Sequence, residues 1–401
     1  MNKFITQSKR VFTLDKTLFA ILLTLLTLSC VAIYLSAPLL NGGMATALDL
    51  VSKQIFWYCV GFVIIAILLW FGVDRLFTLS YVFYWILMVL LLGLALSSKG
   101  IISTSLMTRV NGTYAWYMIP GIGSLQPSEF MKIILAVITA NTIHEHNLEK
   151  RDNSWASDFS LFLKIAKFAL PPVILILMQP DTGIPIVIII SLAIMFIISG
   201  VRREWAFIVG FGAIFALGSI VFLYYNFPNV LNALLGGGST GYRLDRFYGW
   251  LDYEKYAGNQ GYQLIRGLIS IGTAGLTGNQ LGINVIQFPE AQTDFIFAVI
   301  SQNFGFLGAS FTILLCLFFD FKLISNTIRS DLPRERYMMI GIVGMLLFQQ
   351  VENIGMILAL LPITGITLPF ISYGGSSIAS YMIPLAVSFS QFSETHNRHK
   401  H

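Results

Sequence analysis

Ten apolar runs of near-bilayer length recur along this chain, and nothing else in it restricts the fold as strongly. They fall at roughly 17–40, 54–73, 76–97, 127–146, 161–179, 183–200, 206–226, 295–319, 338–360 and 375–391. A hydrocarbon core about 30 Å thick takes about 20 residues of helix to cross, and open backbone is too costly there for other structures. The chain is therefore expected to be an all-α polytopic membrane protein with about ten transmembrane helices. Composition agrees, with 56% hydrophobic and 11% charged residues, a balance foreign to soluble globular domains. The first run is too long for a signal-peptide core and has no clear cleavage site, so it is expected to stay as the first span. Cys30, Cys59 and Cys316 lie within apolar runs and give neither a disulfide framework nor metal-ligand spacing.

Charge gives an orientation. Most of the 25 Lys and Arg residues fall on one side when the N-terminus is placed inside, so both termini are expected to be cytoplasmic. Residues 1–16 then form one cytoplasmic tail and 392–401 the other, within a single integral membrane domain over 1–401. The net charge of +5 is not gathered into a stripe, which argues against nucleic acid as a partner. Two external loops are long, at about 98–126 and 227–294, and loops of that length tend to carry function. The larger one, extracellular and between helices seven and eight, includes Gly261–Gly282. That stretch is apolar and glycine-rich, as in a short interfacial helix or a re-entrant piece. No internal repeat is visible, which counts against an inverted-repeat transporter.

Four polar clusters share the external face. Ile286–Phe297, IQFPEAQTDFIF, places Glu290 and Asp294 immediately ahead of the eighth span. A carboxylate at that position is expensive unless it is wetted, paired or used. Gln126–Lys132, QPSEFMK, sets Glu129 and Lys132 three apart on one helical face. Gln179–Gly183, QPDTG, is a helix break with Asp181, and Leu361–Ser377, LPITGITLPFISYGGSS, is broken by Pro and Gly. Each has a plainer reading. Asp294 would cap a helix, Trp116 would anchor an interface, and Arg243 and Arg246 would snorkel. Lys132 and Asp181, at similar depth, are expected to pair with each other or with Glu129. Convergence of the four on one face is what argues for a site.

These motifs carry a resemblance. Asn353-Ile354-Gly355-Met356 with Leu361–Ser377, QPSEFMK, QPDTG and PEAQTDFIFAV at Pro289–Val299 resemble the SEDS proteins (shape, elongation, division and sporulation), the family of RodA and FtsW. The match runs in order from the first span to the tenth and leans slightly towards RodA. It implies a peptidoglycan glycosyltransferase that polymerises lipid II into β-1,4-linked strands with release of undecaprenyl diphosphate, in elongation or division. It also implies a class B penicillin-binding protein as partner. Asp294 matches the family's essential loop aspartate, and Glu129, Lys132 and Asp181 match its intramembrane polar residues. Three departures stand out. Asn111–Trp116, NGTYAW, lacks the usual basic residue, Gln302-Asn303 replaces a pair of acids, and Arg266 replaces an uncharged residue.

On such a substrate Asp294 would act as base towards the acceptor hydroxyl. Arg243, Arg246, or a divalent cation (Mg or Mn) held with Glu290 would meet the diphosphate charge. Trp116 and Ser376 complete the candidate substrate-binding set. The transpeptidase would dock on apolar faces of helices eight and nine, at Phe304–Phe318 and Met338–Phe348. The rival readings are a flippase or secondary transporter for lipid-linked sugars, with Lys132, Asp181 and Glu129 as relay groups, and a scaffold without chemistry. An external-face requirement for Asp294 separates the enzyme from both.

Overall fold

The structure, a computed structural model, describes residues 12–398 except 103, 108, 110–112, 121–122, 151, 236–240, 259–260 and 280–284. The long helices are α1 (Lys16–Leu35), α2 (Gly43–Phe71), α3 (Asp74–Ser98), α4 (Pro127–Glu149), α5 (Trp155–Leu177), α6 (Gly183–Ile198) and α7 (Glu204–Asn226). Three short ones follow, α8 (Pro228–Leu235), α9 (Gly241–Leu251) and α10 (Tyr262–Thr273), and then α11 (Ile296–Ile328), α12 (Pro333–Ile357) and α13 (Gly375–Arg398). Each of the ten apolar runs therefore has its helix, and the chain is an all-α polytopic membrane protein. Among the described residues, seven helices are long and apolar enough to cross a membrane on length and composition alone. Of the other three, α4 and α13 are more polar and α6 has only 16 residues.

Several ends differ from expectation for identifiable reasons. The second helix starts at Gly43 rather than near residue 54. Asp49 and Lys53, one turn apart, pair at 2.6 Å on its exposed side, so a charged turn of low hydropathy is still good helix. Likewise α13 runs to Arg398, through most of the expected tail 392–401. The 227–294 loop holds α8, α9 and α10, the last within Gly261–Gly282, where a short interfacial helix or a re-entrant piece was expected. The 98–126 loop contains a two-stranded antiparallel hairpin, β1 (Tyr117–Ile119) with β2 (Gly123–Leu125).

Hydrocarbon gives helices no hydrophobic reason to associate, so close packing and shared polar groups must hold them together. At the centre stands α4, buried almost without break from Pro127 to Ile143 and packed against α3, α6, α12 and α13. Next to it, Met338, Met339, Ile342, Val343, Met345 and Leu346 of α12 are buried. The expected docking face on Met338–Phe348 is therefore mostly internal, because α6 and α4 cover it. The neighbouring face of α11 does stay open, at Phe306, Phe311, Leu314, Leu317 and Phe318. By contrast α7 buries only Tyr224 and leans mainly on α6 and α8.

The eleventh helix is not continuous. Gly305 has φ 62° and ψ −156°, a combination open essentially to glycine alone, about 14 Å along the axis from Ile296 at 1.5 Å per residue. Chain returning from α10 fills the break. The N–H groups of Phe306 and Leu307 donate to the carbonyls of Gly275 (3.0 Å) and Leu276 (3.1 Å), and Asn279 N–H donates to Gln302 O (2.9 Å). The glycine-rich stretch after α10 thus pairs its backbone with the break. A Cβ on Gly305 would lie 2.3 Å from Gly278 N, so Gly305→Ala combines a forbidden dihedral with a backbone clash. It should lower the thermal unfolding midpoint in detergent and the folded yield by at least ~1–3 kcal/mol of stability. Gly210→Ala on α7, where a Cβ meets no atom within 4 Å, is the control and should leave both unchanged.

Candidate active site

Asp294 sits in a turn that the chain makes before α11. Glu290 adopts φ 54°, and its carbonyl accepts from the N–H groups of Thr293 (3.2 Å) and Phe295 (3.1 Å). The Thr293 hydroxyl donates to Glu290 Oε2 at 2.8 Å. This turn is stitched to the broken stretch between α12 and α13. Ser372 Oγ donates to Thr293 O at 2.6 Å while accepting from Leu368 N at 2.9 Å, and Tyr373 N–H donates to Gln292 O at 2.9 Å. Two of the four clusters thus meet through backbone bonds.

The third contribution to this side comes from α9. Trp250 Nε1 donates to Ala359 O at 3.0 Å, which holds the helix over the same stretch, and Arg246 Nη1 donates to Thr364 O. Gly365, at φ 75°, lies between the two charges. A Cβ there would stand 2.9 Å from Arg246 Nη1 and 3.3 Å from Asp294 Oδ2. The missing side chain leaves the space in which guanidinium and carboxylate face the same opening.

Opposite them stand the ends of α4, α5 and α6. Asp181 Oδ1 accepts from the N–H groups of Gly183 (3.1 Å) and Ile184 (3.4 Å) at the start of α6, an N-terminal site that favours negative charge. Its Oδ2 accepts from Gln126 Nε2 at 3.2 Å. Pro127 opens α4, and one turn in, Lys132 Nζ stands 2.5 Å from Glu129 Oε2. Lys132 is 1% exposed, its ammonium 4.0 Å from the ring centre of Tyr381 on α13. The fully buried cation is therefore met by one carboxylate and one aromatic face. Lys132 pairs with Glu129, and Asp181 with backbone and Gln126; the alternative pairing of Lys132 with Asp181 is not formed.

Between the two sides lies a cavity of about 440 Å³, within the range of small-molecule sites. Asp294, Glu290, Arg246, Trp116, Glu129 and Asp181 all line it. Lys132 and Ser376 stand behind its wall. The Ser376 hydroxyl accepts from Gln126 N and donates to Ser124 O, both at 3.0 Å, so it clips β2 and the start of α4 to α13. Arg243 lies on α9, with its side chain outside the described residues, as is Asn111. Gln126, Gln263 and Gln349 also line the cavity, together with Thr364–Thr367, and none was anticipated as a ligand contact. Thr364–Thr367 lie within the Pro- and Gly-broken stretch Leu361–Ser377. Gln263, in an amphipathic helix, gives no signal.

Among the described side chains four carboxylates and one guanidinium line the opening, so its acids repel one another. Burial pushes the Asp294 carboxyl up to about 6, and nearby Glu290 adds to this; the Thr293 hydrogen bond and Arg246 oppose it. Asp181 is also pushed up to about 6, by burial first, against the N–H groups of Ile184 and Gly183. An acid with a pKa near 6 is a competent base at neutral pH. Among the described residues no three His, Cys, Asp or Glu side chains gather closely enough to cage a metal ion, and the countercharge within the cavity is that of Arg246.

The Lys132–Glu129 contact yields a test. Removing one partner leaves the other charged and buried, at a cost of about 3–5 kcal/mol. Lys132→Met and Glu129→Gln should each lower the yield of monodisperse protein, and the pair together should recover much of it. Lys132→Met combined with Asp181→Asn should show no recovery; if it does, and the Glu129 combination does not, the pairing described here is wrong.

Comparison with known proteins agrees with this architecture. The chain is 36% identical over 280 residues to the Haemophilus influenzae protein named probable peptidoglycan glycosyltransferase FtsW, covering 68% of this chain and 65% of that one, just under two thirds. It is 31% identical over 280 residues to stage V sporulation protein E of Bacillus subtilis, covering 69% and 70%. A solved chain from a peptidoglycan synthase complex that coordinates polymerization and crosslinking superposes with a TM-score of 0.70 at 27% identity, over 94% of this chain and 97% of that one. The crystal structure of the rod shape determining protein RodA of Thermus thermophilus shares the fold, with a TM-score of 0.63 at 24% identity over 95% and 98%. Residues 15–394 match the FtsW, RodA and SpoVE family model, described as cell cycle protein, and the chain belongs to that family.

Proposed function

We propose that this protein is a peptidoglycan glycosyltransferase that polymerises lipid II, working at the external face of the cell membrane. The observation that carries this is the placement of Asp294 and Arg246 on either side of Gly365, facing one cavity at the ends of the long helices. The names of the relatives and of the synthase complex support it. The acceptor sugar hydroxyl attacks the anomeric carbon of the lipid-linked donor and gives its proton to Asp294. A new glycosidic bond forms as the bond from that carbon to the diphosphate breaks, and undecaprenyl diphosphate departs with the bonding electrons. Attack opposite the leaving group turns an α-linked donor into a β-linked strand. Diphosphate leaves without a general acid, unlike the sugar leaving group of a glycosidase. Arg246 meets its charge, and Trp116 offers a face to the sugar. The transporter reading would need charged groups reachable from both ends of the bundle, whereas Lys132 and Glu129 are 1% and 5% exposed.

Asp294→Asn keeps the shape and cannot take up a proton, so turnover of purified lipid II should fall by roughly a hundredfold or more while the protein still accumulates. Near-normal polymer from that variant would overturn the assignment. The pH profile gives the sign independently. Only ionised Asp294 accepts a proton, so the rate should be lost as pH falls through about 6 and level off above it. Asp181 also titrates near 6; the inflection should persist in Asp181→Asn, where the amide oxygen can still cap α6.

A class B penicillin-binding protein is the proposed partner. Its single membrane helix fits the open face of α11, at Phe311, Leu314 and Leu317, beside the groove that Leu347, Val351 and Ile354 of α12 complete. Leu314→Trp should lower polymerisation only when the transpeptidase is present. Equal loss with and without it would move the interface elsewhere.

A further inference from the structure

One fully buried polar side chain near the cavity has no part in the mechanism above. Asn353, on α12, is 0% exposed. A buried amide is costly unless its hydrogen-bonding groups are used, and both donors of this one are used at a single place. Nδ2 donates to Asp294 O at 2.7 Å and to Ile366 O at 2.8 Å, while Oδ1 accepts nothing. The two carbonyls belong to the two strips that form this side of the cavity. One strip carries the Asp294 carboxylate. The other presents Thr364 O, which holds Arg246, and Gly365, whose missing side chain leaves room beside both Arg246 and Asp294.

The remaining stitches hold other residues. Ser372 reaches Thr293, and Tyr373 reaches Gln292, whereas Asn353 holds the main chain of Asp294 itself by a side-chain hydrogen bond. The same face of α12 supports the second strip again. Gln349, one turn away, lines the cavity itself together with Thr364.

We propose that Asn353 is the positioning residue of the site, fixing Asp294 in register with the strip that holds Arg246 so that base and countercharge meet one substrate together. The proposal rests on the reading of Asp294 as the base. An amide is suited to the task, since it presents two N–H groups to two carbonyls from one rigid plane. A shift of about 1 Å at a reacting group costs up to roughly a hundredfold in rate, and ground-state binding contacts elsewhere in the cavity would be untouched.

The test uses the full chain in lipid nanodiscs, with purified lipid II as substrate. Asn353→Leu removes both donated bonds while keeping the branching and the number of heavy atoms. Asn353→Asp keeps the volume as well and, as the neutral acid, one of the two bonds. Turnover should fall roughly tenfold to a hundredfold in Asn353→Leu, with KM within about twofold, and Asn353→Asp should fall between it and the wild type. Hydrogen exchange should rise together in 289–297 and 361–368, a readout that needs no activity. Unchanged turnover, a loss confined to KM, exchange that rises in neither segment, or failure of both variants to fold would each overturn the positioning role. If the wild-type protein makes no polymer, the glycosyltransferase reading fails and the catalytic role of Asn353 with it. Exchange then still decides whether Asn353 joins the two strips.

Discussion

Backbone released where a helix breaks inside packed protein must find a partner, because little water is there to supply one. The architecture depends on that requirement at three places. The break at Gly305 is filled by the chain after α10. The break after α5 is closed by the Asp181 carboxylate on the start of α6. The long break between α12 and α13 is filled by side chains, as Tyr58 donates to Phe370 O at 2.6 Å and Gln54 to Ser372 O at 3.0 Å. The repairs at Gly305 and between α12 and α13 bring distant parts of the chain together, the one after α5 is local, and two of the three open onto the cavity.

Helix ends also concentrate charge. Free N–H groups at the start of α6 favour an anion there, and the first turn of α4 does the same for Glu129. Turns before α11 and between α12 and α13 can host polar side chains that the helix interiors cannot. The candidate site is thus where four sets of ends converge, and its acids are crowded because every one of those ends is a good place for an acid. Two of them resist ionisation, through burial first and a neighbouring acid second, and among the described side chains one guanidinium sits with them. Such crowding favours a substrate that brings its chemistry to a base over one that depends on a field of cations.

Periodicity and length made the ten long helices legible, since hydropathy over a bilayer-length window averages away local exceptions. Their ends were less so: the first turns of α2 are helical because Asp49 and Lys53 pair, and an average cannot see a pair. Asp294, Glu290, Arg246, Trp116, Glu129 and Asp181 were legible as polar residues at breaks and edges, and all line one cavity. Which charges pair was not legible. Span depth alone left Lys132 equally near Asp181 and Glu129, and the choice follows from a helical spacing of three and from the backbone groups that claim Asp181 first. Ser376 shows the same limit, a hydroxyl in a suggestive motif whose bonds go to main chain. Asn353 stands out only once its two carbonyl partners, 59 and 13 residues away in sequence, are seen on either side of it.

The isolation of α7 has its own consequence. With one buried residue in 23, its solvent on nearly every side is lipid, and fluid chains reshape around whatever apolar side chain they meet. Exchanging Phe for Leu there opens no void and forces no clash, so hydropathy is conserved by necessity while shape is free to drift. The helix is located by what holds its ends, the turn from α6 and the fold of α8, much as a rope is located by its moorings. Its sequence therefore stores a length and a solubility, whereas that of α4, enclosed by protein from Pro127 to Ile143, stores a three-dimensional surface.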